Sequence, residues 1–188
     1  MSETEAGAAA PKAGGPFRLL LDIAARARTG PEVTEAQRRI QPHWSGVGFA
    51  VSGHRFVAPL GQVTEIMTVP SLTRLPRVKP WVRGVANVRG RLLPVVDLAA
   101  FFGGRLSSSP RRLRALVVEA EDIYCGLLVD EVLGLKHFGT EALREPPREL
   151  PEHFVAFVEG AYVAADGEWT LFNAGKLVGD ARFLDAAL

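Results

Sequence analysis

From Trp44 onward, apolar and polar residues alternate at period two, and short polar or glycine-bearing turns interrupt the alternation, which is the pattern of half-buried β-strands. Phe49 and Val51 precede the turn Ser52-Gly53-His54, and Phe56, Ala58 and Leu60 follow it, so a two-stranded hairpin is predicted here. A second pair of strands is predicted over Val82 to Val88 and Arg91 to Val96, joined by Arg89-Gly90, a tight turn in which the glycine takes positive φ. Pro94 lies inside the second of these strands, and its missing N–H places it at a sheet edge or a bulge. Asp97 then caps a short apolar helix, LAAFF, that Gly103 or Gly104 ends.

The same text is written twice. Val82 to Gly103 and Val158 to Gly179 share an opening glycine (Gly84, Gly160), a turn glycine (Gly90, Gly167), a capping residue (Asp97, Asn173) and a closing glycine (Gly103, Gly179). Ahead of each copy, Phe49 to Ile66 and Leu116 to Val132 both give strand, polar turn, strand and a V-x-E-[IV] ending, with one residue of slippage. Such repetition predicts two similar β-rich modules that bury their apolar faces against each other. Each half also contains a proline-rich crossing, Pro70, Pro76 and Pro80 in the first and Arg144 to Pro151 in the second. Locked φ angles and missing N–H groups predict extended connections there. Residues 104–114 form a polar, basic linker between the halves.

The first 43 residues differ. Residues 1–16 read as a flexible leader rich in Ala, Gly and Pro. Phe17, Leu20, Leu21, Ala24 and Arg28 follow helical spacing up to Gly30-Pro31, and a weaker helical stretch continues to about Ile40. This helical arm either packs on the body or reaches a partner.

Composition narrows the function classes. The chain of 188 residues has 22 Lys plus Arg against 21 Asp plus Glu, a net charge of +1, so no global field draws it to nucleic acid or to a membrane surface. Arg111, Arg112 and Arg114 in the linker read as a solvated face. The single cysteine, Cys125, lies in an apolar strand and permits no intramolecular disulfide, which fits a reducing compartment. The amino terminus has no secretory h-region, and no run approaches the roughly 20 apolar residues that span a bilayer. A cytoplasmic protein is expected.

Catalytic constellations are not apparent. Histidines 43, 54, 137 and 153 each lack a second ligand at metal-binding spacing, and no phosphate-cradling glycine loop or nucleophile elbow occurs. Asp97 is a capping residue or a catalytic carboxylate at a strand end. Asn173 at the matched position caps equally well and cannot act as a general base, which favours the cap. Trp81 and Trp169 are core fillers or partner-facing anchors. With its distinctive positions spent on glycines, prolines and apolar strand residues, the chain reads as a binding module without cofactor or metal.

VRGVANVRGRLLPVVDL resembles the signature of the CheW-like domain, a G-x-x-N-x-R-G strand pair followed by a hydrophobic-Pro-x-x-Asp-Leu segment. V-T-E-I (63–66) and GLLVDEVLGL (126–135) resemble two further family elements in the same order. The resemblance covers about Trp44 to Leu184. It implies an all-β fold of two intertwined five-stranded SH3-like barrels with short helices, divided into an arm over 1–43 and a domain over 44–184. Within that domain the modules are expected at about 44–104 and 113–184, with strand exchange between them. It also implies a non-enzymatic adaptor that couples the cytoplasmic tips of methyl-accepting chemotaxis receptors to the regulatory domain of a CheA-type histidine kinase. On that expectation membrane association arises only through the receptor, and no nucleic acid is expected to bind. The likeness extends to members that serve type IV pili and twitching motility. A flagellar chemotaxis adaptor, or a small-ligand-binding β-barrel, is the alternative. Carried over by motif, Val63 and Glu65 with Gly84, Asn87, Arg89 and Gly90 become the partner-binding candidates, and Glu65 is expected to pair with Arg89 across neighbouring strands.

Overall fold

The structure, a computed structural model, describes residues 43–120, 123–139 and 143–188, so the expected leader and helical arm lie outside the described residues. Ten strands follow in chain order: β1 (His43–Val51), β2 (His54–Pro59), β3 (Val63–Thr68), β4 (Val82–Val88), β5 (Arg91–Asp97), β6 (Arg114–Ala120), β7 (Ile123–Val129), β8 (Glu131–Gly139), β9 (Val158–Ala164) and β10 (Gly167–Phe172). Among the described residues four short α-helices accompany them: α1 (Leu98–Phe101), α2 (Glu152–Val155), α3 (Ala174–Val178) and α4 (Ala181–Leu184).

The strands form two five-stranded sheets, ordered β8-β1-β2-β10-β9 and β3-β6-β7-β5-β4. Each sheet takes one hairpin from one half of the chain and three strands from the other half. The two orders are the same order under exchange of the halves, with β1-β2 standing for β6-β7, β3 for β8 and β4-β5 for β9-β10. In each sheet the halves meet twice, once antiparallel (β1 with β8, β3 with β6) and once in the one parallel contact, β2 with β10 and β5 with β7. The architecture is the intertwined pair of five-stranded units that the sequence resemblance implies.

Interleaving buries both faces of the inner strands, which explains why they read as nearly continuous apolar runs. A central core draws Phe49, Phe56, Leu116, Leu127 and Phe172 from both sheets and adds Leu98, Phe154, Leu177 and Phe183 from the helices. Alternate residues point the other way. Leu93, Val95, Val117 and Leu128 fill a second core behind one sheet, and Val57, Phe138, Tyr162, Trp169 and Leu171 fill a third behind the other. Trp81 stacks on Phe183 with ring centroids 5.7 Å apart, and Trp169 is 1% exposed, so both tryptophans are core fillers.

The repeat differs in register from its sequence reading. Pairing of β6 with β3 matches Val118 to Val63 and Leu116 to Ile66, and pairing of β1 with β8 matches Phe49 to Val132 and Val47 to Leu135. Val63–Ile66 is therefore equivalent to 132–135, and the second V-x-E-V segment (129–132) is not its counterpart. Similarly, Gly90 sits in the β4–β5 turn while Gly167 is the first residue of β10, paired with Ala164. Both misreadings come from matching letters where strand pairing, invisible in the letters, sets the equivalence.

Pro94 sits neither on an edge strand nor at a bulge. It lies in β5, an inner strand, opposite Val85. Val85 turns its own N–H and C=O away to Thr73, and pairing with β7 begins only at Val95. The missing N–H therefore falls where neither neighbour requires a donor. The bulge is on β4, at Arg83.

Candidate functional site

The β4–β5 turn organises the candidate residues. Arg89 at φ +52° and Gly90 at φ +82° form a two-residue turn with both central φ angles positive, the conformation that suits right-twisted hairpins. Arginine adopts this region at a cost, so the turn needs support. Asn87 gives it: its side-chain carbonyl accepts the Gly90 N–H at 2.9 Å. The turn then carries the Arg89 guanidinium to Glu65 on β3, Nη2 to Oε1 at 2.9 Å.

The ion pair expected from the sequence is present, with one correction. β3 and β4 are not neighbours; they are the two edges of their sheet. The sheet curls until its edges face each other, and the pair spans that gap. Arg89 is 79% exposed in its side chain and Glu65 28%, so water screens the pair and its worth is about 0 to 1 kcal/mol. Its consequence is geometric: it holds the β4–β5 turn against β3.

Two other candidates stand apart from this surface. Val63 is 8% exposed and belongs to the central core. Gly84 is buried at φ +137°, and a Cβ there would lie 2.3 Å from the Thr73 carbonyl oxygen. Gly160, its equivalent, has φ +156° and stands in the same relation to the Arg144 carbonyl, at 2.5 Å. Each glycine lets a proline-rich crossing add itself to the outer side of a hairpin, Thr73 to Val85 and Arg144 to Ala161.

The polar strand ends are capping sites. Asp97 accepts the Ala100 N–H at 2.9 Å and Asn173 accepts the Lys176 N–H at 3.0 Å. Each also meets the side chain of the matched bulge residue, Asp97 with Arg83 at 3.4 Å and Asn173 with Glu159 at 2.7 Å. Burial pushes the Asp97 carboxyl above its ordinary range, offset in part by the Ala100 N–H and by Arg83, and the nearby Asp130 charge adds to the rise. Burial also pushes the Cys125 thiol up to about 12, leaving no thiolate at neutral pH. Among the described residues no group of three or more His, Cys, Asp or Glu is arranged to hold a metal ion.

Asp130 escaped the sequence reading as an individual residue. It is 3% exposed and accepts three backbone N–H groups, from Ser52 at 2.8 Å, Ser107 at 2.5 Å and Ser108 at 2.8 Å. It thereby fastens the inter-half linker to the β1–β2 turn. Its partners stand 78, 23 and 22 residues away in sequence, so no local spacing reveals the arrangement. A second ion pair, Lys136 on β8 with Asp166 in the β9–β10 turn, was also missed; its length is 2.5 Å. It spans the edges of its own sheet as Glu65–Arg89 spans the other, with acid and base exchanged. The Lys136 hydrogen bond, then that from Trp169, hold the Asp166 carboxyl below the usual carboxylate range.

The sheet exchange, the twice-written capping hairpin and the Glu65–Arg89 turn coincide with a known domain: the CheW-like domain model matches residues 45–182. The chain belongs to the CheW-like domain family. It is 43% identical to Protein PilI of Pseudomonas aeruginosa, over 92% of this chain and 97% of that protein. Protein FrzA of Myxococcus xanthus is 30% identical over 71% of this chain and 84% of its own length. In three dimensions the chain is similar to the crystal structure of scaffolding protein TtCheW from Thermoanaerobacter tengcongensis. The TM-score is 0.64 at 26% identity, covering 74% of this chain and 94% of that one.

Proposed function

We propose that this CheW-like protein is a scaffold adaptor of a chemosensory system and that it works by docking, without bond-making of its own. Family membership across 45–182 carries the reading. The geometry supports it, since the conspicuous carboxylates, Asp97 and Asp130, are engaged by backbone N–H groups in capping and clamping. The partners in this proposal are the regulatory domain of a CheA-type histidine kinase and the cytoplasmic tip of a methyl-accepting chemotaxis receptor, in the cytoplasm. Similarity to PilI over nearly its full length favours a system that controls type IV pili and twitching motility. The working unit is the domain over 44–184, preceded by the arm over 1–43.

Glu65, Asn87, Arg89 and Gly90 form the partner-facing part of this proposal, and Val63 and Gly84 serve it through the fold, in the central core and at the Thr73 crossing. The test is a pull-down of purified protein with a kinase regulatory domain and a receptor cytoplasmic fragment, with adenosine triphosphate turnover read alongside. Binding to both, without turnover by the protein alone, is the expected result. Turnover by the protein alone, or capture of neither partner, defeats the proposal.

A further inference from the structure

The crossing from β3 to β4 presents an extended edge, and residues from the far end of the chain lie on it. Val78 pairs antiparallel with Ala187. The Lys79 N–H donates to the Ala186 carbonyl at 2.9 Å, and the Leu188 N–H donates to the Arg77 carbonyl at 3.0 Å. Asp185 sets its carboxylate 2.9 Å from Lys79 Nζ. Beside this edge opens a groove of about 610 Å³ lined in part by Leu72, Arg74, Leu75, Val78, Lys79 and Arg83. The lining thus combines apolar side chains with cations.

Residues 185, 187 and 188 are exposed, and Ala186 is partly buried against the central core. Phe183, just before them, is buried and stacked on Trp81, which anchors the chain up to that point. Beyond it, Leu184 is 55% exposed and Leu188 81%. The Asp185 side chain is 72% exposed, so its ion pair is screened. On the accepting side Arg77 sits at φ +56°, a region unfavourable for a residue with a side chain. An edge that takes an extended strand, with a lysine that takes its carboxylate, is the arrangement by which sheets capture peptides.

We propose that Arg77–Lys79 and its adjoining groove form a docking site for an extended, acidic segment of a partner protein, and that residues 185–188 are a strap that this segment displaces. The occupant's chemistry follows from the strap itself: an Asp or Glu placed for Lys79, backbone groups for Arg77 and Lys79, and apolar neighbours for Leu72, Leu75 and Val78. Arg74 and Arg83 favour further acidic residues along the groove. This site is separate from the Glu65–Arg89 surface and does not depend on a kinase or a receptor.

The probe is a fluorescein-labelled peptide with the sequence of residues 182–188, followed by fluorescence anisotropy. A variant lacking residues 185–188 is expected to bind it saturably, and the full chain at least tenfold more weakly because its own strap competes. In the shortened variant Lys79→Glu is expected to weaken binding at least tenfold. A peptide with Lys in place of the aspartate is expected to fail, whereas one with Glu is expected to bind. Absence of saturable binding by a shortened variant whose circular dichroism melt remains cooperative overturns the proposal. Should that variant not fold, Asp185→Lys in the full chain serves instead: tighter peptide binding than wild type supports the strap, and unchanged binding overturns it.

Discussion

Arg89 contributes little to stability, and the proposed function gives it a part in recognition. Its guanidinium is largely exposed, so removing it leaves the fold within about 1 kcal/mol of wild type. Arg89→Ala is therefore expected to melt like the wild type while losing receptor-dependent stimulation of the kinase. Normal stimulation in that variant ends the assigned role. Asp97 makes the opposite point. Burial raises its folded pKa above the ordinary 3.8, so between that value and the folded pKa the native state holds a proton that the unfolded chain has released. Stability from this group is full below 3.8 and is lost as pH rises through the folded value. Asn173 performs the same capping without charge. Asp97→Asn is accordingly expected to match or exceed wild-type stability at neutral pH, with the advantage shrinking toward pH 4 in urea titrations. A deficit that grows with pH contradicts this account.

At the scale of elements, Asp130 joins pieces that the chain order keeps apart. Replacing it with alanine leaves the N–H groups of Ser52, Ser107 and Ser108 without their acceptor. The expected loss is about 3 kcal/mol in urea unfolding, with Asp130→Asn intermediate because one amide oxygen still accepts. Faster amide exchange at Ser107 and Ser108 accompanies it; unchanged exchange there excludes the clamp. Elements of this kind mark the limit of sequence reading. Strands, turns and caps were legible because each depends on neighbours a few residues away, as with Asn87 holding Gly90 or Asp97 holding Ala100. The Asp130 clamp and the Lys136–Asp166 pair were illegible because their geometry exists only after distant strands have paired. Glu65–Arg89 was legible through motif resemblance alone, and even so its path across two sheet edges was misjudged.

For the whole molecule, exchange of strands makes the halves interdependent. Within residues 43–104 the strand pairings are those inside the hairpins, β1 with β2 and β4 with β5, and β3 finds its partner, β6, in the second half. The mirror holds beyond: β8 pairs with β1, and β10 with β2. An isolated hairpin is marginal in water, and the central core draws its large side chains from both halves. Cutting the chain in the linker is therefore expected to leave neither piece, residues 1–110 nor 111–188, as a folded monomer by circular dichroism and sedimentation. Mixed at equal concentration, the pieces are expected to recover the β spectrum and one cooperative melt whose midpoint rises with concentration, as mass action requires of an association-coupled fold. A cooperative melt from either piece alone as a monomer shows instead that the sheets are separable, because the same repeat that lets β1–β2 stand for β6–β7 then lets a single half close on itself.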